Sequence, residues 1–484
     1  MGQFEMSKVR NISLTLGGFI AGALISLHVP ALAEKDVKPG LPIEDLRTFA
    51  EVYNAIKQGY VEPVDDKKMI ANAISGLLSN LDPHSSYLDT DAFKDLQAGT
   101  QGEFGGLGIE VGMEDGLVKV VSPIEDTPAF RAGLKAGDLI FKLDDTPVKG
   151  LTLNDAVKKM RGKPRTPIRL SIIRKGESKP IEVTLMREVI KVQSVKSKLV
   201  EPGYGWVRIT QFQENTGDNL VKHLNDLAKQ GPLKGLVLDL RNDPGGLLNG
   251  AIGVSAAFLP PNTKVVSTDG RTEDAKQEFL ARPSDYLRGN KDDYLKNLPA
   301  SIKTVPMVVL VNSGSASASE IVAGALQDHK RAVIMGTQTF GKGSVQTVLP
   351  LPGNAAIKLT TARYYTPSGR SIQAKGIVPD IVVEESLNGS SSAPHIREAD
   401  LERHLMNDKE SGQDAVKDAI KTDSLKTQPK SPAAKPKPGG KDGNKDEGED
   451  DSLARIEYAG KNDHQFAQAL NLLKGMQIMQ NKVQ

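Results

Sequence analysis

A mixed α/β (α+β) fold is predicted by three patterns in the 484-residue sequence. From Ile190 onward, strand-like runs such as "GLVLDLR", "VPMVVLV", "RAVIMG" and "AAIKLTTARYY" alternate with amphipathic stretches, as strand and helix units do. Between Phe104 and Arg187, short β-like runs such as "GLGIEVG", "LVKVVSP" and "IRLSIIRKG" are divided by turn residues, which predicts a smaller strand-rich unit. From Ile43 to Leu81, apolar residues recur at helical spacing through Leu46, Phe49, Val52, Ile56, Ile70, Ile74 and Leu77. At roughly 150 residues per domain, the length accommodates about three units with buried cores.

Taken in order, residues 1–33 read as a signal peptide. Lys8 and Arg10 precede an apolar run, Ile12 to Val29, and "ALAE" supplies a small-residue cleavage site after Ala33. Periplasmic export follows, the alternative being an uncleaved inner-membrane anchor that faces the periplasm, because about 18 apolar residues just span a bilayer. Residues 34–95 form the helical region, closed by "LDPHSSYL"; 96–188 form the strand-rich unit and 189–385 the α/β core. Residues 386–455, with "KSPAAKPKPGGKDGNKDEGEDDS", are too polar to fold alone and are expected to be a linker. Residues 456–484 recover helical spacing through Phe466, Leu470, Leu473 and Met476.

The net charge of +2 lacks the strong basic field of a dedicated nucleic-acid binder, so nucleic acid is not expected as a partner. Cysteine is absent, which removes disulfides, thiolate metal sites and cysteine nucleophiles. No metal or cofactor is expected.

"GEFGGLGIEV", residues 102–111, sets glycines directly ahead of a strand, where backbone N–H groups can converge on an anion. A free peptide C-terminus is such an anion. Gly106, Leu107, Gly108 and Ile109 are the candidate peptide-binding residues, with Leu107 and Ile109 lining a pocket for an apolar terminal side chain. The strand from Ile109 would accept an extended peptide beside the helix Leu153–Met160. Alone, these glycines would make an ordinary turn as readily. With "SPIEDTPAFRAGLKAGDLIFKLDDTPV" following, the region resembles a PDZ domain over about 85 residues.

"VNSGSASASEIVAGALQDHK", residues 311–330, places four serines at a strand-to-helix turn, where helix N-terminal amides favour a developing oxyanion. Ser317-x-x-Glu320 also has the spacing of a helix capping box, so Ser317 could simply cap the helix. A nucleophilic serine needs a base. None of the seven histidines has a recognisable triad context, and there is no "GDSGG"-like loop. Lys342, in "GTQTFGKGSVQTVLPLP", is the other candidate, flanked by glycines that would let the loop pack closely. Lowering a lysine from about 10.4 by about three units through burial costs roughly 4 kcal/mol, which a folded core can supply.

Together, "GSASASEI", "TFGKGSVQ", "DLRNDPGG", "YYTPSGRSIQAKGIVPD" and "LDPHSSYL" resemble the C-terminal processing peptidases over roughly residues 40–385. The resemblance implies a crotonase-like protease core, an inserted PDZ β-barrel domain and a helical N-terminal region. It also implies a serine/lysine dyad, Ser317 and Lys342, with Gln346 orienting the lysine and the N–H groups of Ala318 and Gly246 forming the oxyanion hole. Ser315 and Ser319 become structural neighbours, Ser319 with a capping role. The implied partners are protein or peptide substrates with apolar C-termini. Self-association through the helical ends and an adaptor protein remain open. The rivals are a non-catalytic PDZ scaffold on a protease fold, and a trypsin-like protease with a histidine base.

Overall fold

The computed structural model describes residues 42–385 apart from 125, 178 and 290, together with 396–409 and 457–483. The signal peptide expected at 1–33 and the low-complexity run at 430–452 lie outside the described residues. The chain divides into two compact units between Ile70 and Ala71.

In the first unit, the helix Ile43–Gly59 is followed by the opening turn of a helix that runs Asp66–Ser79. Asp66, at that helix's N-terminus, accepts from Tyr53 Oη and Lys57 Nζ, each at 2.8 Å, which joins the two segments. Leu46, Phe49, Val52 and Ile56 follow helical spacing along the first helix, and all four are exposed.

The second unit opens with β1 (Ser86–Leu88) and the helix Thr90–Gln101, capped by the Asp89 carboxylate. The strand-rich module follows: β2 (Glu103–Gly106), β3 (Ile109–Glu114), β4 (Leu117–Pro123), β5 (Leu139–Leu143), β6 (Thr146–Pro147), β7 (Pro167–Ile173), β8 (Ile181–Met186) and β9 (Glu188–Lys191). β3, β4, β5, β7 and β8 form one antiparallel sheet in that order, with β6 against β5, and β2 pairs with β9. Val118, Val120, Ile140, Leu170 and Ile172 alternate inward from these strands and are fully buried. The helix Leu153–Met160 begins on a Thr152–Asp155 capping box. It ends on the Arg187 guanidinium, which donates to Lys159 O and Met160 O at 2.8 and 2.9 Å and satisfies its last carbonyls.

The core contains β10 (Val195–Glu201), β11 (Tyr204–Ile209), β12 (Gly235–Asp239), β13 (Lys264–Gly270), β14 (Gln277–Leu280), β15 (Met307–Val311), β16 (Val333–Gly336), β17 (Ser344–Leu351), β18 (Ala355–Tyr365) and β19 (Ile381–Val382). Strands β10, β11, β12, β15, β16 and β19 form a six-stranded sheet, parallel from β11 onward. Strands β12 and β15 are buried at every position, as unbroken apolar runs in a parallel sheet require. On one face Leu236, Leu238, Val309 and Val311 pack against the helices Thr216–Lys229, Leu248–Phe258 and Ala318–Asp328. On the other, Trp206, Val237, Val308 and Leu310 pack against Phe466, Ala469 and Leu473 of the C-terminal helix His464–Val483.

A second sheet is built on β18. β17 runs antiparallel along one edge as a hairpin, while β1 and β13 pair with opposite ends of β18. Residues 396–409 fall inside the stretch expected to be linker, yet they pack on the core: the N–H of Glu398 donates to Phe340 O, and its side chain is buried. Composition averaged over 386–455 hides this short segment, because specific polar bonds rather than a large apolar face hold it.

Candidate active site

The site forms where three loops leave the C-terminal edge of the parallel sheet: after β12, after β15 and after β16. Ser317 lies at the end of the loop after β15, immediately before the helix Ala318–Asp328, with φ 54° and ψ −111°. Such a backbone is strained for any residue but glycine, and strain of this kind, of order 1–3 kcal/mol, concentrates at functional positions. The neighbouring hydroxyls are committed. Ser315 Oγ donates to Leu240 O at 2.8 Å and accepts from Asn312 N at 3.0 Å. Ser319 Oγ donates to Asp243 O at 2.9 Å, so Ser319 latches the loop after β12 instead of capping its helix.

The capping-box spacing hides a larger role for Glu320. Its carboxylate is wholly buried and accepts from four donors. These are Ser317 N at 2.8 Å, Thr339 Oγ1 at 2.5 Å, Gly341 N at 2.7 Å and Lys342 N at 2.9 Å. The backbone of the serine turn and that of the lysine loop are therefore within two hydrogen-bond lengths of each other. Burial pushes the Glu320 carboxyl up to about 7, opposed by all four of its donors.

Lys342 is half-buried, and desolvation, assisted by the charge of Lys358, holds its ammonium below the ordinary lysine range. Glu398, Glu320 and Asp82 pull the other way. Gly343 sits where a Cβ would lie 2.3 Å from Gln373 N, so the lysine loop packs directly on the segment 372–376. Gln373 Oε1 accepts from Gly343 N at 3.0 Å, and its amide donates to Glu398 Oε1, also at 3.0 Å. Glu398 in turn is 2.8 Å from His84 Nε2 of the "LDPHSSYL" run. Gln346 points its amide at Ser344 Oγ (2.9 Å) and Thr360 Oγ1 (3.4 Å). Among the described residues no hydrogen bond joins Ser317 Oγ to Lys342 Nζ or Gln346 to Lys342, so the expected dyad is joined through its backbone amides on Glu320 and not through its side chains. His329 Nε2 contacts Lys264 O at the far end of the helix, away from Ser317.

The loop after β12 closes the third side. Gly245 has φ 96°, and a Cβ there would lie 2.6 Å from Ala316 O, 2.8 Å from Ala318 N and 2.9 Å from Ser317 Cβ. Gly245 N donates to Asp243 Oδ1 at 2.9 Å, and the next residue, Gly246, packs against Phe212 O. Asp243 is fully buried, its Oδ2 has no partner among the described residues, and burial raises its carboxyl to about 8.

In the strand-rich module, β3 is an edge strand, and the glycine loop precedes it. Gly106 pairs with Glu188 across β2 and β9. Gly108 O accepts from Ile124 N at 2.8 Å. Ile109 is half-buried against the module core, whereas Leu107 is buried inside it and gives its carbonyl to Ala129 N.

A strained serine at a helix N-terminus, a desolvated lysine and a glycine-lined amide loop define a serine-type peptidase, here joined to a peptide-binding module with an open sheet edge. Three family matches agree: residues 203–383 match peptidase family S41, 105–185 match the PDZ domain, and 24–92 match the N-terminal domain of the activating protease CtpB. The chain is 47% identical over 400 residues to a carboxy-terminal-processing protease of Bartonella bacilliformis, covering 81% of this chain and 88% of that one. It is 36% identical over 335 residues to carboxy-terminal processing protease CtpA of Bacillus subtilis (69% and 68% covered). Against CtpB of the same organism it is 34% identical over 403 residues (80% and 78%). The chain belongs to the S41 family of carboxy-terminal processing proteases, and the reading as a non-catalytic scaffold is set aside.

Sequence reasoning missed Glu398, Asp82 and Gln373. Glu398 meets His84 across 314 residues and Gln373 meets Gly343 across 30, whereas Asp82, inside "LDPHSSYL", takes His84 N and Ser85 N locally and only Thr360 Oγ1 from afar.

Proposed function

We propose that this serine peptidase cuts peptide bonds with Ser317 as nucleophile and neutral Lys342 as general base. The observation that carries this reading is the shared acceptor Glu320 Oε2, on which Ser317 N and Lys342 N converge. Lys342 Nζ takes the proton of Ser317 Oγ as the oxygen attacks the peptide carbonyl. The oxyanion forms between the N–H groups of Ala318 and Gly246. Lys342 then returns the proton to the departing amine, and water, deprotonated in turn by Lys342, hydrolyses the ester. Side-chain rotation on substrate binding completes the dyad, with Gln346 turning from Thr360 to hold the amine. Catalytic hydrogen bonds of this kind often tighten only in the complex.

Substrates are captured by an apolar C-terminus laid along β3, with its carboxylate at the loop Gly106-Leu107-Gly108. Residues 1–33 direct export to the periplasm. The exposed face of the helix Ile43–Gly59 supports self-association through the N-terminal helices, and an adaptor is a further partner of this reading.

The test is cleavage of an unfolded protein ending in an apolar residue by wild type, Ser317→Ala and Lys342→Ala. Both variants lose activity while retaining binding of the C-terminal peptide. Cleavage that survives both substitutions overturns the assignment.

A further inference from the structure

Behind the loop after β12 lies a cluster of buried charges that the reaction above does not use. Asp239, the last residue of β12, accepts from Trp206 Nε1 (3.2 Å) and Arg208 Nη1 (3.3 Å). It also accepts from Arg241 at Nε (2.9 Å) and Nη2 (2.6 Å). One carboxylate thus faces two guanidinium groups, and the second carboxylate comes from the far end of the chain. Asp463 takes Arg241 in a bidentate grip, Nη1 to Oδ1 at 2.8 Å and Nη2 to Oδ2 at 2.7 Å. Gln465 Oε1 adds a contact at 3.1 Å. Arg241, Asp239 and Asp463 are all buried.

The same segment touches the next residue of the loop. Asn242 Nδ2 donates to Tyr458 Oη at 2.7 Å, and the Tyr458 ring lies under the Arg208 guanidinium, 3.5 Å from its Cζ. Asn242 holds the serine loop from its other side, with its N–H on Asn312 Oδ1 at 2.9 Å and its Oδ1 accepting from Asn312 Nδ2 at 3.0 Å. Asp243 O then receives Ala316 N at 3.0 Å and Ser319 Oγ at 2.9 Å. The path from Asp463 to the Ser317 turn thus runs by hydrogen bond to Arg241, along the backbone through Asn242 to Asp243, and by hydrogen bond from Asp243 O to Ala316 N and Ser319 Oγ.

We propose that Asp463 and Tyr458 are positioning residues of the protease site: by fixing Arg241 and Asn242 they hold the loop 242–246 at the spacing from Ser317 that the oxyanion requires. This rests on the reading of Ala318 and Gly246 as oxyanion donors. Two cations facing one anion repel each other, so without the Asp463 carboxylate Arg241 has a buried charge to relieve and turns toward solvent. Its backbone leads directly into that loop. The contact orders a group used only when charge develops, so its loss falls on kcat and leaves substrate capture on β3 unchanged.

The experiment uses the full chain carrying Asp463→Asn or, as the gentler change, Tyr458→Phe, which deletes only the hydroxyl that Asn242 binds. Kinetics are measured on the unfolded protein substrate with an apolar C-terminus, alongside Ser317→Ala, below each variant's own unfolding transition. Losing an oxyanion donor outright costs roughly 100- to 1,000-fold, so a misplaced one predicts about a 10- to 100-fold fall in kcat for Asp463→Asn and about 3- to 10-fold for Tyr458→Phe. KM stays within about twofold in both. Wild-type kcat in both variants, or a loss confined to KM, with Ser317→Ala inactive, overturns the inference and leaves the dyad reading standing. Activity in Ser317→Ala overturns that reading itself.

Discussion

Ser317 and Lys342 donate their backbone N–H groups to one and the same oxygen, Glu320 Oε2, at 2.8 and 2.9 Å. A single carboxylate therefore sets the separation of the proposed nucleophile from its base. Glu320→Gln turns an amide N–H₂ toward donors that need an acceptor, whichever way it flips. Its kcat is expected to fall by more than about 100-fold while C-terminal peptide binding persists. Glu320→Ala orphans three buried donors at about 1–3 kcal/mol each and a part-buried fourth, Lys342 N, and is expected to lose at least about 3 kcal/mol in denaturant unfolding.

Burial holds the ammonium of the proposed base down, and neighbouring charges of both signs adjust it. Lys358 lowers the Lys342 ammonium and Glu398 raises it. The reaction needs the neutral amine, so the ascending limb of the kcat/KM profile follows this group. Lys358→Met is expected to move that limb to higher pH and Glu398→Gln to lower pH. Shifts of the same sign in both variants would show that another group controls the limb.

Gly245 admits no side chain. A Cβ would meet Ala316 O at 2.6 Å, and φ 96° disfavours any L-residue. Gly245→Ala is expected to push the loop from the serine turn and lower kcat by more than about 100-fold, read in the same peptide assay.

How much of this was legible in the sequence differs element by element. The helix of 464–483, the serine turn and the glycine-flanked lysine were all marked by short-range pattern. Ser317-x-x-Glu320 was visible too, but as a capping box, because Thr339 and Gly341 reach Glu320 only after a strand and a loop have intervened. Glu398 and His84 are 314 residues apart, and one of them sits in a stretch whose average composition argues for no structure at all. Periodicity reports what one element buries, whereas these polar bonds depend on which loops the finished sheet brings to one edge. The linker reading failed at 396–409 for the same reason.

Asp243 makes stability depend on pH. Burial raises its folded-state carboxyl to about 8, above the ordinary value near 3.9, so the folded protein holds a proton that the unfolded chain releases. That contribution is fully present below about pH 4 and is lost as pH rises toward 8. Asp243→Asn keeps the acceptor for Gly245 N without a proton to lose. Relative to wild type, it is expected to gain roughly 1.4 kcal/mol per pH unit across that window, measured by denaturant unfolding at several pH values.

The grip of Asp463 on Arg241 closes across 222 residues of chain. A ribosome that has already made both the serine and the lysine still has the whole of 343–462 to add before that grip can form. On the proposed roles of Asp463 and Tyr458, the anion cradle beside the serine is unbraced until the tail has been made, so a chain ending before Asp463 is expected to lack full kcat.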